Sequence, residues 1–400
     1  MSEKVILAYS GGLDTSVAVK WLGEKYSLRV VTLTVDIGNV PDLEAIREKA
    51  LKVGAVKALV LDARKSFIES FVFPALQADA VYEGQYPLAT ALGRPLIARL
   101  LVETARKERA RVVAHGCTGK GNDQVRIDVS VAALAPELKV IAPARAWDMT
   151  REQTIEYARA HDIPVPITRA SPYSIDENLW GRSIECGVLE DTWNEPPRDV
   201  FLWTKSPRKT PARPAYLEIG FDHGIPVSLD GENLDSVALV QRVHDLAGQH
   251  GVGRIDHIEN RLVGIKSREV YEAPAAVVLL KAHQAMEDLV LTKDQLRFKA
   301  KVAAEYADLI YNGLWFTGMR RDLAAYVEST QRYVTGTIRV KLFKGSCQVV
   351  GRWSPYSLYD YSLATYDKGD AFDQSASPGF IHIWGLPVRT QAKVQPEPPE

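Results

Sequence analysis

The run Ser10-Gly11-Gly12-Leu13-Asp14-Thr15-Ser16 gathers hydroxyls, a carboxylate and two glycines between an apolar run, Val5 to Tyr9, and a stretch where Val17, Ala18, Trp21 and Leu22 recur at helical spacing. A strand that hands over to a helix leaves backbone N–H groups without partners at the positive end of the helix dipole. An anion is favoured there. Glycines allow close approach to a phosphate, and Ser10, Thr15 and Ser16 add donors. The bland alternative is a glycine turn with Asp14 or Thr15 as a helix cap. Position at the first strand–helix junction and the density of hydroxyls favour phosphate. What the loop lacks narrows the chemistry further. No segment supplies Gly-x4-Gly-Lys-Ser/Thr, and Gly119-Lys120-Gly121 has no following hydroxyl, so a Walker loop is absent. No Gly-x-Gly-x-x-Gly follows the first apolar run, which argues against a dinucleotide site.

A second constellation is His115-Gly116-Cys117-Thr118-Gly119-Lys120-Gly121-Asn122-Asp123-Gln124-Val125-Arg126, directly after the expected strand Arg111 to Ala114. Its hydroxyl, amide, carboxylate and guanidinium could hold an amino acid at both ends, Asp123 pairing an ammonium and Arg126 a carboxylate. Asn122 and Asp123 could instead cap the helix that follows.

Both loops need a scaffold, and the first third of the chain supplies one. Val5 to Tyr9, Arg29 to Val35, Ala55 to Leu61, Arg111 to Ala114 and Val140 to Ala142 read as strands. Helical patterns lie between them, over Pro41 to Lys52 and around Leu96, Ile97, Leu100 and Leu101. Such alternation predicts a doubly wound α/β domain with a parallel sheet, over residues 1–170. Prolines at Pro164, Pro166 and Pro172 mark its end, and Glu195 to Pro214 reads as an exposed connection. A second, α+β domain is expected over 171–377. Hairpins are read at Tyr216 to Leu229 and Thr337 to Arg352, and helices over Leu234 to Ala247, Val277 to Leu291 and Glu305 to Leu314. A tail, 378–400, ends in a frayed Gln395 to Glu400.

Bulk properties exclude several classes. The 49 basic and 50 acidic residues give no basic excess for a nucleic-acid partner. Three cysteines, Cys117, Cys186 and Cys347, are too few and too scattered for a disulfide framework or a zinc site, and fit a reducing compartment. The opening lacks a signal-peptide pattern and no apolar run spans a bilayer, so a soluble cytoplasmic protein without membrane contact is expected.

The first loop resembles the pyrophosphate-binding loop of the N-type ATP pyrophosphatase superfamily, whose members generally adenylate a substrate oxygen and release pyrophosphate. The string His115 to Arg126 resembles a signature of the argininosuccinate synthases. So do Leu7-Ala8-Tyr9, Ala80 to Gly84, Arg94 to Ala98, Pro172-Tyr173-Ser174, Gly187 to Asp191, Gly251 to Arg254, Glu259-Asn260-Arg261, Val263 to Arg268 and Tyr271 to Pro274. The matches run in family order over roughly residues 5 to 275.

The resemblance implies ligation of citrulline and aspartate with ATP through a citrullyl adenylate, releasing AMP and pyrophosphate, with Mg2+ entering on the nucleotide and no other metal. It implies ATP at Ala8, Tyr9, Ser10, Gly11, Gly12, Leu13, Asp14, Thr15 and Ser16, with Val35 at the adenine and Gly116 near the nucleotide. It puts aspartate at Thr118, Asn122 and Asp123. Citrulline falls to Tyr86, Asn122, Arg126, Ser174, Ser183, Glu259 and Tyr271, and to Ala91, which stands where the family usually has a serine. Thr90 or Tyr86 could replace the lost hydroxyl. Asn39 stands where the family often has glutamine. No side-chain nucleophile is expected. A homotetramer is implied, which would suit a second domain that shows no obvious core of its own.

Other residues take plainer readings. Cys117 reads as a small packing residue and His115 as a loop anchor. Trp353, Tyr356, Tyr359, Tyr361 and Trp384 read as core or subunit interface rather than a nucleobase platform. The rivals are a tRNA-thiolating enzyme of the same superfamily, which would want a cysteine pair and a basic surface, and a non-catalytic ATP-binding module.

Overall fold

A computed structural model describes residues 3–38, 42–164, 173–367 and 369–395. Pro41, Pro166, Pro172, Asn39 and the end of the tail after 395, all named above, lie outside the described residues.

The strands β1 (Lys4–Ala8), β2 (Arg29–Asp36), β3 (Lys57–Asp62), β4 (Val112–Ala114) and β5 (Lys139–Ile141) form one parallel sheet in the order β3-β2-β1-β4-β5. Helices α1 (Leu13–Tyr26), α2 (Leu43–Lys52), α3 (Ala89–Glu108), α4 (Asp123–Leu134) and α5 (Arg151–Ala160) connect and cover it. Burial on both faces is why β1 reads as an unbroken apolar run and β2 as a β-branched one without charged residues between Val30 and Val35. The strand order reverses between β1 and β4. At that switch point the loops leaving two neighbouring strands diverge and leave a crevice, and these are the loops starting at Tyr9 and His115.

Two antiparallel sheets follow. One is β6 (Ser174–Asn178), β7 (Gly181–Glu185), β11 (Arg254–Asn260) and β12 (Lys266–Glu272), in the order β11-β12-β7-β6. The other is β8 (Ala215–Asp222), β9 (Ile225–Leu229), β10 (Glu232–Asn233), β13 (Gly336–Phe343) and β14 (Ser346–Trp353), in the order β10-β9-β8-β13-β14. Both hairpins read from the sequence are present in the second sheet. The first sheet was not expected: its strands are short and mostly polar, so they carry no apolar run.

Helices α6 (Ser236–Gln249), α7 (Pro274–Val290), α8 (Lys293–Tyr311) and α9 (Gly318–Thr330) complete this part. Helix α8 starts well before Glu305, with Thr292 and Gln295 forming a capping box. The expectation of a second half without an obvious core is corrected. Leu217, Ile219, Leu239, Val243, Leu279, Met286, Ile338 and Val340 are buried in one cluster with residues of the first half. Charge is buried here too. Lys299 of α8 sits 2.5 Å from Asp79 and 2.9 Å from Glu287 of α7, and His283 lies 2.8 Å from Asp79. Buried charges survive only when paired, and these pairs fix α8 against the first half.

The chain divides into two compact units, Met1–Tyr356 and Ser357–Glu400. The second unit carries the helices α10 (Ser377–Trp384) and α11 (Leu386–Val394). Of the aromatic residues expected in a core or subunit interface, Trp353 is exposed by 64%, Tyr359 by 64% and Trp384 by 75% in the single chain, which excludes the core for these three. Among the described residues no helix is long and apolar enough to cross a membrane.

Candidate active site

The first loop turns at Gly11, whose φ of 77° lies in the left-handed region that glycine tolerates. Helix α1 then begins at Leu13 with Gly12 as its N-cap and no side-chain capping bond, so neither Asp14 nor Thr15 is spent as a cap. Thr15 Oγ1 lies 3.2 Å from Ser10 Oγ. Lys49 Nζ of α2 donates to the Gly11 carbonyl at 2.7 Å, and burial lowers the pKa of this lysine.

A cavity of about 430 Å³ opens over this loop, walled by Ala8, Tyr9, Ser10, Gly12, Leu13, Asp14, Thr15, Val35 and Gly116, with Ile97 adding to its apolar side. Gly116 must be small, because a Cβ there would come within 2.8 Å of Thr15 Cγ2. Two residues of the expected set face elsewhere. Gly11 forms the turn behind the wall. Ser16 is fully buried, its hydroxyl donating to the Gly12 carbonyl at 2.8 Å and lying 3.0 Å from the Tyr9 hydroxyl.

A second cavity of about 420 Å³ shares Ser10, Arg94, Gly116 and Asp176 with the first. It brings together Tyr86, Asn122, Asp123, Arg126, Ser174, Ser183, Glu259 and Tyr271. Side chains two apart on a strand share a face. Ser174 and Asp176 of β6, Ser183 and Glu185 of β7, and Glu269 and Tyr271 of β12 therefore point the same way. The register sets Ser183 beside both Asp176 and Tyr271, and Ser174 beside Glu185. Asn122 precedes α4 without a capping bond. Its Nδ2 donates to the Tyr311 hydroxyl at 2.8 Å and its Oδ1 accepts the Leu262 N–H at 3.0 Å.

The cavity is strongly charged. Asp123 accepts from Arg94 at 2.7 Å and from Arg126 at 2.9 Å. Burial alone would raise its pKa, but the two guanidiniums outweigh that and hold the carboxyl below its usual range. Arg94 also bonds Asp176. Arg126 Nη2 is buried and, among the described residues, has no hydrogen-bond partner; the same holds for Thr90 Oγ1. Glu259 accepts from the Tyr271 and Tyr311 hydroxyls, each at 2.5 Å. Arg261 bridges Glu185 and Glu269, the latter at 2.8 Å. Burial and the neighbouring Glu185 carboxylate push Glu269 up to about 8. Tyr86 stacks on Tyr271 at 4.3 Å, and burial pushes its phenol up to about 12.

Two expected ligands are not on these walls. Thr118 is exposed and lines a neighbouring hollow of about 570 Å³ that shares Gly121, Ser174, Glu185 and Arg261 with the second cavity. Ala91 is fully buried in α3, its N–H donating to the Tyr86 hydroxyl at 3.4 Å, while its neighbour Thr90 lies on the wall. His115 anchors its loop: Nδ1 accepts the Cys117 N–H at 3.2 Å, so Nε2 carries the proton toward Asp128 at 2.7 Å. Burial pushes the Cys117 thiol up to about 12, which leaves it unreactive.

Sequence reasoning missed Arg94, Asp176, Glu185, Arg261, Glu269 and, behind the wall, Tyr311. The alternation Ser174-x-Asp176, Ser183-x-Glu185, Glu259-x-Arg261 and Glu269-x-Tyr271 is a strand signal in polar residues. It could have found most of them.

A family model described as the arginosuccinate synthase N-terminal HUP domain matches residues 4–164, and one described as the arginosuccinate synthase C-terminal domain matches 173–391. Curated relatives named argininosuccinate synthase align over nearly the whole chain. That of Dehalococcoides mccartyi strain 195 is 64% identical, covering 99% of this chain and 98% of the relative. That of Symbiobacterium thermophilum is 59% identical, covering 98% of each, and that of Rubrobacter xylanophilus 57%, covering 99% of this chain and 97% of the relative.

Proposed function

The chain belongs to the argininosuccinate synthase family, ligases of arginine biosynthesis, and from that membership we propose that it joins citrulline to aspartate through a citrullyl adenylate, with AMP and pyrophosphate as co-products. The observation that carries this reading is the shared wall of the two cavities, Ser10, Arg94, Gly116 and Asp176. An amino acid held beside Asn122 and Arg126 can there reach the α-phosphorus of a nucleotide held over Ser10 to Thr15.

In this reading the citrulline ureido oxygen attacks the α-phosphorus, and the bond to the β-phosphate oxygen breaks. Mg2+ entering on the nucleotide would offset charge on the departing pyrophosphate, and the Asp14 carboxylate on the cavity wall would suit it. Free N–H groups at the start of α1 stabilise the same charge. The aspartate amine then attacks the ureido carbon and expels AMP. Holding three reactants in register supplies much of the rate.

Arg126, whose Nη2 has no hydrogen-bond partner among the described residues, suits the citrulline carboxylate, and Glu259 its ammonium. Asp123 takes the aspartate ammonium, with Thr118 and Asn122 on its carboxylates. Residues 1–170 form the nucleotide-binding domain, 171–377 the synthetase domain and 378–400 the tail. The enzyme is a cytoplasmic homotetramer. Three free cysteines support the compartment, and exposed Phe380, Ile381, Ile383 and Trp384 support assembly.

The test is product analysis with ATP, citrulline and aspartate, omitting each amino acid in turn. AMP and pyrophosphate must require citrulline. Argininosuccinate must require both. Nucleotide binding without turnover would instead favour the non-catalytic module.

A further inference from the structure

We propose that Tyr311 is the positioning residue of the citrulline pocket, setting the directions in which Asn122, Arg126 and Glu259 present their polar atoms without itself touching substrate. This inference rests on the functional reading above. Tyr311 is the last residue of α8; it is fully buried and forms no part of either cavity wall. Its hydroxyl donates to Glu259 Oε1 at 2.5 Å and accepts from Asn122 Nδ2 at 2.8 Å. Its carbonyl accepts from Arg126 Nε at 2.8 Å. Its ring centroid lies 4.7 Å from the Arg126 guanidinium and 3.6 Å from the Tyr82 ring, with 6° between the ring planes.

Each contact removes one freedom from a group on the wall. The Asn122 amide cannot flip, because its oxygen holds Leu262 N–H and its nitrogen holds Tyr311, which leaves one N–H for a ligand. With Nε on Tyr311 and Nη1 on Asp123, the guanidinium plane of Arg126 is fixed and Nη2 is the donor left over. Glu259 receives one phenol on each oxygen, which compensates a buried carboxylate and leaves further lone pairs for an ammonium. Tyr271, the other phenol, lines the cavity itself; Tyr311 acts only through its neighbours. Its own place is rigid because α8 is clamped by Lys299 to Asp79 and Glu287.

The experiment is steady-state kinetics of the full-length enzyme and of Tyr311→Phe, varying citrulline and ATP separately. The variant keeps the ring and loses only the hydroxyl. Citrulline KM should rise about tenfold or more, the weight of a hydrogen bond to a charged group, while ATP KM stays within about twofold. In a Glu259→Gln background the same change should have a clearly smaller effect on citrulline KM, since the two side chains then act as one unit. Should Tyr311→Phe fail to fold, Tyr82→Leu, which removes the stacking partner, should raise citrulline KM about threefold over Tyr82→Phe, which loses only the hydroxyl bonded to the Asn260 carbonyl, with ATP KM unmoved in both. An unchanged citrulline KM in an active enzyme would overturn the inference, and so would a parallel rise for both substrates. Wild-type enzyme that makes no argininosuccinate would instead bring down the functional reading, and this inference with it.

Discussion

Arg94 donates to Asp123 at 2.7 Å at the place where the two cavities meet. The carboxylate is therefore held ionised by a residue of α3 as well as by Arg126, ready for an ammonium. Asp123→Ala should raise aspartate KM about tenfold or more, or abolish turnover, because a charged hydrogen-bond partner is lost. ATP affinity, measured by nucleotide titration, should remain close to wild type. Lost ATP binding with intact aspartate dependence would refute the role given to Asp123.

Position sets the consequence of the missing hydroxyl at Ala91. Ala91 is enclosed, and a serine hydroxyl on a helix readily bonds back to the carbonyl one turn earlier. Thr90 lines the cavity, and its buried Oγ1 has no hydrogen-bond partner among the described residues. Thr90→Val should raise citrulline KM by roughly two- to tenfold, the worth of one net hydrogen bond. Ala91→Ser should leave it nearly unchanged. A KM that moves for Ala91→Ser and not for Thr90→Val would reverse the two assignments.

Glu269 predicts a pH dependence of stability. In the folded protein it holds its proton up to about 8, whereas an unperturbed glutamate releases it near 4.5. Its contribution is thus complete below pH 4.5 and is lost as pH rises toward 8. Glu269→Gln does not titrate. Its stability relative to wild type should therefore improve between pH 5 and pH 8.5, by about 1–3 kcal/mol. Melting curves of both proteins at the two ends of that range decide it; a constant difference would mean that Glu269 is ionised throughout.

The bond of ATP that breaks follows from the loop type. If the ureido oxygen attacks the α-phosphorus, citrulline carrying heavy oxygen in its ureido group delivers that label to AMP and leaves pyrophosphate unlabelled. Transfer of the terminal phosphoryl group would instead put the label in inorganic phosphate and yield ADP. Mass spectrometry of the products separates the two routes.

What the sequence determined by itself is local and contiguous. The parallel sheet was legible because its central strands β1, β2 and β4 are buried on both faces and rich in apolar and β-branched residues. The two loops were legible because their chemistry-bearing residues are neighbours in the chain, from Ser10 to Ser16 and from His115 to Arg126, and a string of that length identifies a family. Tertiary structure decided the rest. Ser174, Ser183, Glu259 and Tyr271 were named only through resemblance, because their strands are polar, and what unites them is pairing between segments as far apart as β6 and β12. Ser16 turned inward and Ala91 into the core, while Thr90 turned to the cavity, since a helix sends adjacent side chains to different faces. Tyr311 left no local sign at all. Its hydroxyl, carbonyl and ring act only where α8 ends beside Asn122, Arg126 and Glu259, and that meeting depends on long-range packing, which no spacing in the chain encodes.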